Sequence, residues 1–227
     1  MDRRGLAAAI DRAGRPGGPR LEILGASPPA VGSVGLVAGS FDPMTVAHAA
    51  LAQALGTDLT LLLWSPATLP KEAGPGGNPS PPPLEPEEVL ASLLAWCGSR
   101  AWARVAVCSQ GLLADQVEAA AVSFPRARLV LGMGSDKLLQ LLDPRWYQDR
   151  DAVLGRLFDR AEVAAAARGH AMEVVLAETR WSDRIRTVRL PAALAAISSW
   201  AVREAVRQGE DVAKAVPPEI LPFVRGG

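Results

Sequence analysis

The chain is poor in cysteine and histidine, carries no excess charge of either sign and contains no long apolar run; each shortage removes a class of function. Its two cysteines, Cys97 and Cys108, lie in ordinary apolar stretches without metal-ligand spacing, so they read as buried thiols and no disulfide framework is indicated. Of its two histidines, His170 reads as a surface residue, which leaves His48 for chemistry. Lys+Arg and Asp+Glu are balanced at 24 each, so the broad positive field that grips nucleic-acid backbones is missing and a small-molecule substrate fits better. The alanine-rich run after Met1-Asp2-Arg3-Arg4 is too brief, and too soon interrupted by Asp11 and Arg12, for a signal peptide or a membrane span. The expectation is a cytoplasmic protein without membrane or nucleic-acid partners.

What the chain does have is alternation. At 227 residues it has room for one large α/β domain. Residues 1–30 combine a short helical pattern with Gly and Pro and read as an N-terminal extension, with ordered structure starting near Leu21 or Val34; residues 31–227 read as a single domain. Val34 to Gly39 is a short apolar run of the kind found in a central parallel strand buried on both faces. Ala47 to Leu55, stopped by Gly56, reads as a helix, and Asp58 to Trp64 as the next strand, giving a βαβ unit. Residues 65–88 are crowded with proline and glycine and form a long loop.

Beyond the loop the pattern continues. A helix is expected at Pro86 to Trp96, a strand at Arg104 to Cys108, a helix at Leu112 to Ser123, a strand at Arg128 to Met133 and a helix after Ser135. Glu162 to Ala166 reads as a strand, Gly169 to Arg180 as helix or strand by pattern alone, and Ile185 to Leu190 as an edge strand. Residues 197–227 form a C-terminal helical part: Trp200 to Gln208 ended by Gly209, then a short helix opened by Pro217-Pro218. The expected fold class is α/β, a doubly wound parallel sheet with a small C-terminal helical segment.

Two segments carry phosphate-handling chemistry. The first, Gly39-Ser40-Phe41-Asp42-Pro43-Met44-Thr45-Val46-Ala47-His48, joins the first core strand to the first core helix, at the carboxyl edge where this architecture binds ligands. Glycine admits a close phosphate, Pro43 stiffens the turn, and a helix N-terminus near Thr45 favours an anion. His48 follows Thr45 by three residues and lies on the same side of that helix. The second, Ile197-Ser198-Ser199-Trp200-Ala201-Val202-Arg203, puts two hydroxyls before a helix and a guanidinium one turn into it, able to hold two phosphate oxygens. Either segment alone is commonplace, the one as a turn with a core histidine, the other as a serine-capped surface helix.

Together, and in this order, they resemble the signatures G-x-F-[DN]-P-x-[HT]-x-[GA]-H and ISSTxxR of the HxGH nucleotidyltransferase superfamily, with Ala47 for the common glycine and Trp200 for threonine. The resemblance runs from about Val34 to Val224 and is nearest to the nicotinamide and nicotinate mononucleotide adenylyltransferases, which implies a Rossmann-like sheet. It implies that His48, Thr45 and Arg203 stabilise charge on ATP phosphates, and that Gly39, Ser40, Phe41, Ser198 and Ser199 bind ATP. Leu131-Gly132-Met133-Gly134-Ser135-Asp136, followed by Leu142-Asp143-Pro144-Arg145-Trp146-Tyr147, resembles the region where these enzymes hold the ATP ribose, at Gly134 and Asp136, and stack the pyridine ring, on Trp146 or Tyr147. Core packing of Trp146 and helix capping by Asp136 are the plain alternatives. Lys71 stands about where relatives carry a histidine-lysine pair, with Pro70 in place of the histidine, and Arg168 resembles a further position near the nucleotide.

The reaction so implied is in-line attack of an acceptor phosphate on the α-phosphorus of ATP, with Mg²⁺ brought in on the phosphates, since no carboxylate cage for a metal is visible in the sequence. A pyridine mononucleotide is the expected acceptor. Phosphopantetheine, flavin mononucleotide or, with CTP, an alcohol phosphate are alternatives within the fold, and an inactive nucleotide sensor is the alternative outside catalysis. Whether copies of the chain form a homo-oligomer stays open, because an interface is a property of the folded surface.

Overall fold

A computed structural model describes residues 1–67, 84–166, 179–194 and 197–225. Its elements in chain order are α1 (Arg3–Gly14), β1 (Leu21–Ile23), β2 (Ser33–Ala38), α2 (Val46–Ala54), β3 (Leu59–Trp64), α3 (Pro86–Cys97), β4 (Ala103–Cys108), α4 (Leu113–Ser123), β5 (Arg128–Gly134), α5 (Ser135–Leu142), α6 (Arg150–Arg160), β6 (Ala161–Ala166), β7 (Ile185–Val188), α7 (Ser199–Arg207) and α8 (Leu221–Arg225). The strands form one seven-stranded sheet in the order β1-β4-β3-β2-β5-β6-β7, parallel except for β1, which runs antiparallel to β4. The chain steps outward from β2 in one direction through β3 and β4, then returns to β5 and steps the other way. The reversal between β2 and β5 is the topological switch point of a doubly wound sheet.

The period-2 alternation of the strands feeds two cores. Leu59, Leu61 and Leu63 of β3 face a layer that includes Val117 of α4, Leu138 of α5 and Phe158 of α6. Leu62 and Trp64 face the opposite layer, with Leu51 of α2, Leu93 of α3 and Val202 of α7. The doubly wound parallel sheet expected from the sequence is the observed one, and Ile185–Val188 is its edge strand, shorter than the pattern suggests.

Three features differ from the sequence reading. The N-terminal residues join the fold: α1 buries Leu6, Ala9 and Ala13, and β1 is the other edge of the sheet. α6 is an additional helix, its amphipathic pattern hidden by a charged first turn. The last helix begins at Leu221 rather than at Pro217-Pro218. Most of Gly169 to Arg180, with Lys71, Arg168 and His170, lies outside the described residues. Among the described residues no helix is long and apolar enough to cross a membrane.

Candidate active site

The first segment leaves the sheet at the end of β2, where the Gly39 N–H donates to Leu63 O at 3.1 Å and so holds the loop against the tip of β3. Phe41 then adopts a left-handed backbone with φ 48° and is fully buried. Its ring lies over Gly39, where an added Cβ would meet the ring carbons at 3.2 Å, and stands edge-on to His48 with centroids 5.3 Å apart. A side chain at 39 would therefore press on the Phe41 ring, which would have to give by a few tenths of an ångström.

Thr45 caps α2, and His48 completes a capping box with it. The Thr45 N–H donates to His48 Nδ1 at 3.1 Å, and the His48 N–H donates to Thr45 Oγ1 at 3.4 Å, while the Thr45 hydroxyl lies 3.0 Å from Nδ1. A main-chain N–H can only donate, so Nδ1 is an acceptor and the neutral ring carries its proton on Nε2. His48 is thus held as an Nε2–H donor by the backbone of the loop that precedes it. Thr45 is completely buried, with its hydroxyl against the imidazole. The α2 N-terminus is closed further by the C-terminal segment, since the Val46 N–H donates to Ala215 O at 3.0 Å.

The second segment docks on the first across 156 and more residues of sequence. Ser198 is the N-cap of α7 and accepts from the Ala201 N–H at 3.1 Å. Ser199 Oγ donates to Pro43 O at 2.8 Å. One turn on, Arg203 Nη1 donates to the main-chain carbonyl of Asp42 and pairs with Asp42 Oδ2 at 3.1 Å. The pair is largely out of solvent, with side-chain exposures of 13% for Arg203 and 10% for Asp42. Asp42 Oδ1 accepts from the Leu84 N–H at 2.8 Å, which fastens the start of α3 to the same loop.

Gly134 ends β5, beside β2 across the switch point, and caps α5, whose first residues are the buried Ser135 and then Asp136. Trp146 ends a single 3₁₀ turn, Pro144–Trp146, after α5, and is half-buried. Among the described residues no ring contact joins it to Phe41 or His48. Burial, followed by the nearby Asp115 and Asp143, pushes the neighbouring Tyr147 hydroxyl up to about 12. The structure therefore brings His48, Thr45, Ser199 and Arg203 into one bonded unit with the loop, and leaves Trp146 on a separate turn. Asp42, Leu84 and Ala215 were not singled out from the sequence. Asp42 stood in the first signature as a turn residue, and only its charge, opposite to that of Arg203, hinted at a partner.

No family's sequence profile matches the chain, and no curated protein matches it. Solved structures do. Two structures of the Plasmodium falciparum nicotinic acid mononucleotide adenylyltransferase, one complexed with APC and one with NaAD, match 85% of this chain and 94% of their own, with TM-scores of 0.58 and 0.57 at 14% identity. The chain has the fold of the nicotinic acid mononucleotide adenylyltransferases. In this adenylyltransferase fold the bonded unit of loop 39–45, α2 and α7 sits at the carboxyl ends of the strands, beside the switch point, the place where doubly wound sheets bind nucleotides.

Proposed function

We propose that the chain transfers AMP from ATP to nicotinate or nicotinamide mononucleotide and releases pyrophosphate. The observation that carries this reading is the docking of the second phosphate-handling segment onto the first, through Ser199 to Pro43 and Arg203 to Asp42. The Plasmodium falciparum enzyme with the same fold, complexed with NaAD, supports the pyridine acceptor.

An acceptor phosphate oxygen attacks the α-phosphorus in line, the new P–O bond forms, and pyrophosphate leaves with the electron pair of the broken bond. The protein positions and neutralises and forms no covalent intermediate. His48 donates from Nε2 to a phosphate oxygen as charge builds on it. Thr45 holds the imidazole, Arg203 supplies positive charge from α7, and Gly39 and Ser40 bring main chain close to the phosphates. Gly134 and Asp136 serve the ATP ribose, Arg168 the nucleotide, and Trp146 and Lys71 the acceptor, with the pyridine ring on Trp146. Mg²⁺ enters as part of the substrate, on the triphosphate. The Asp42 carboxylate is already engaged by Leu84 and Arg203.

A second reading, a nucleotide sensor without turnover, is favoured by Trp200, which stands where the superfamily signature has threonine and whose buried Nε1 has no hydrogen-bond partner among the described residues. Pyrophosphate release measured over a panel of acceptors decides between them. Turnover with ATP and nicotinate or nicotinamide mononucleotide is the expected result; ATP binding with no turnover on any acceptor favours the sensor. His48→Ala is expected to lower turnover by about 100-fold or more with an unchanged circular-dichroism spectrum, and near-normal turnover in that variant overturns the assignment.

A further inference from the structure

We infer that Asp42 is a positioning residue that holds Arg203 in a fixed orientation for the transfer step, an inference that rests on the proposed adenylyl transfer. Asp42 is 7% exposed and makes three bonds to two distant segments. Oδ1 takes the Leu84 N–H at 2.8 Å, Oδ2 takes Arg203 Nη1 at 3.1 Å, and the main-chain carbonyl takes the same Nη1. A buried guanidinium needs a counter-charge in the unliganded protein, and Asp42 supplies it. Two oxygens of one residue on the same Nη1 tether the guanidinium to the loop, and a pre-set orientation is the condition for stabilising charge that appears only during transfer. Ser199, bonded to Pro43, fixes the other end of the same helical turn.

The carboxylate repels phosphate as well as holding the cation that attracts it. Loss of its charge is therefore felt in turnover more than in ATP affinity. Asp42→Asn keeps an Oδ1 for Leu84 and the main-chain carbonyl for Arg203, and replaces the ionic contact at Oδ2 with an amide N–H donor facing Nη1. It is expected to lower kcat between about 10- and 100-fold with the ATP Kd changed by less than about threefold. Arg203→Lys keeps the positive charge but not the fork, and is expected to lose a similar factor. The double variant is expected to be no worse than the poorer single one, since both changes break one unit.

A readout independent of turnover is the arginine side-chain NMR spectrum, with Arg203 assigned by its loss in Arg203→Lys. Restricted rotation of the guanidinium is expected in the wild-type protein, and averaging in Asp42→Asn. If restriction is seen and lost as expected while the wild-type protein turns over no acceptor, adenylyl transfer fails and the orienting role of Asp42 stands. Averaged Arg203 signals in the wild-type protein, kcat within about twofold of wild type in a folded Asp42→Asn, or losses that multiply in the double variant would each overturn the proposal.

Discussion

At the scale of single residues, the site is built by groups that bond one another. Thr45 has no exposed surface, yet its N–H and hydroxyl both meet His48 Nδ1. Thr45→Ala removes the cap and one of the two Thr45 contacts on His48 Nδ1. It is expected to cost about 1 kcal/mol of stability by denaturant titration and to lower kcat, whereas Thr45→Ser keeps both; equal turnover in the two variants would show that the hydroxyl does not position His48. Cys97 is 7% exposed and its thiol is pushed up to about 12, mainly by burial. The thiolate is the reactive form, so Cys97 is expected to resist alkylation at pH 8 in the folded protein and to react once denaturant is added. Both residues show side chains whose chemistry is set by what covers them.

At the scale of elements, the site depends on how closely α2 approaches the sheet. Leu55, the residue that ends α2, fits over two glycines on neighbouring strands, Gly35 of β2 and Gly132 of β5. A Cβ on Gly132 would meet Leu55 Cδ2 at 2.8 Å, and one on Gly35 would meet Leu55 Cδ1 at 2.8 Å and Thr57 Oγ1 at 2.6 Å. These strands are the pair that flanks the switch point, so a displaced Leu55 moves the helix that carries His48. Gly132→Ala is expected to destabilise the protein by about 1–3 kcal/mol and to lower turnover in addition. A midpoint of urea unfolding unchanged from wild type would show that Leu55 can move aside freely. The strand and helix positions were legible from hydrophobic runs and stop signals, because periodicity is local. This contact was not, because it joins residues from three elements.

At the scale of the whole molecule, the sheet is flanked by two apolar layers and sealed at one edge by the N-terminal residues. Leu6 is 2% exposed and lies in the same core as Leu90 and Leu93 of α3. Leu6→Ala is expected to cost about 2–5 kcal/mol, seen as a lowered unfolding midpoint; a loss within about 0.5 kcal/mol would mean that α1 contributes little to the fold. Stability is also expected to fall in alkali. Folded Cys97 holds its proton up to about 12 against an ordinary value of 9.0, so its contribution is complete below pH 9 and is lost as pH rises from 9 towards 12, where the unfolded chain releases a proton that the folded one retains. The expected loss is roughly 1 kcal/mol by pH 10, and Cys97→Ala should flatten the dependence of Tm on pH in that range.

His48 entered as one of two histidines in a cysteine-poor chain, and its place in the first segment, with Ser198, Ser199 and Arg203 in the second, could be read without a structure. The doubly wound sheet could be read as well, since buried parallel strands, capped helices and glycine stops are written in contiguous residues. The sequence by itself thus determined the fold class and the two segments, with His48, Ser198, Ser199 and Arg203, that the folded chain brings together. Only the tertiary structure decided how they are used: that β1 closes the sheet edge, that Thr45 is a buried cap, and that Arg203 is held by Asp42 across 161 residues. The physical reason is range. Helix and strand signals act over a few residues of chain, whereas burial, ion pairing and the orientation of a guanidinium depend on which distant segments the folded sheet brings within 3 Å.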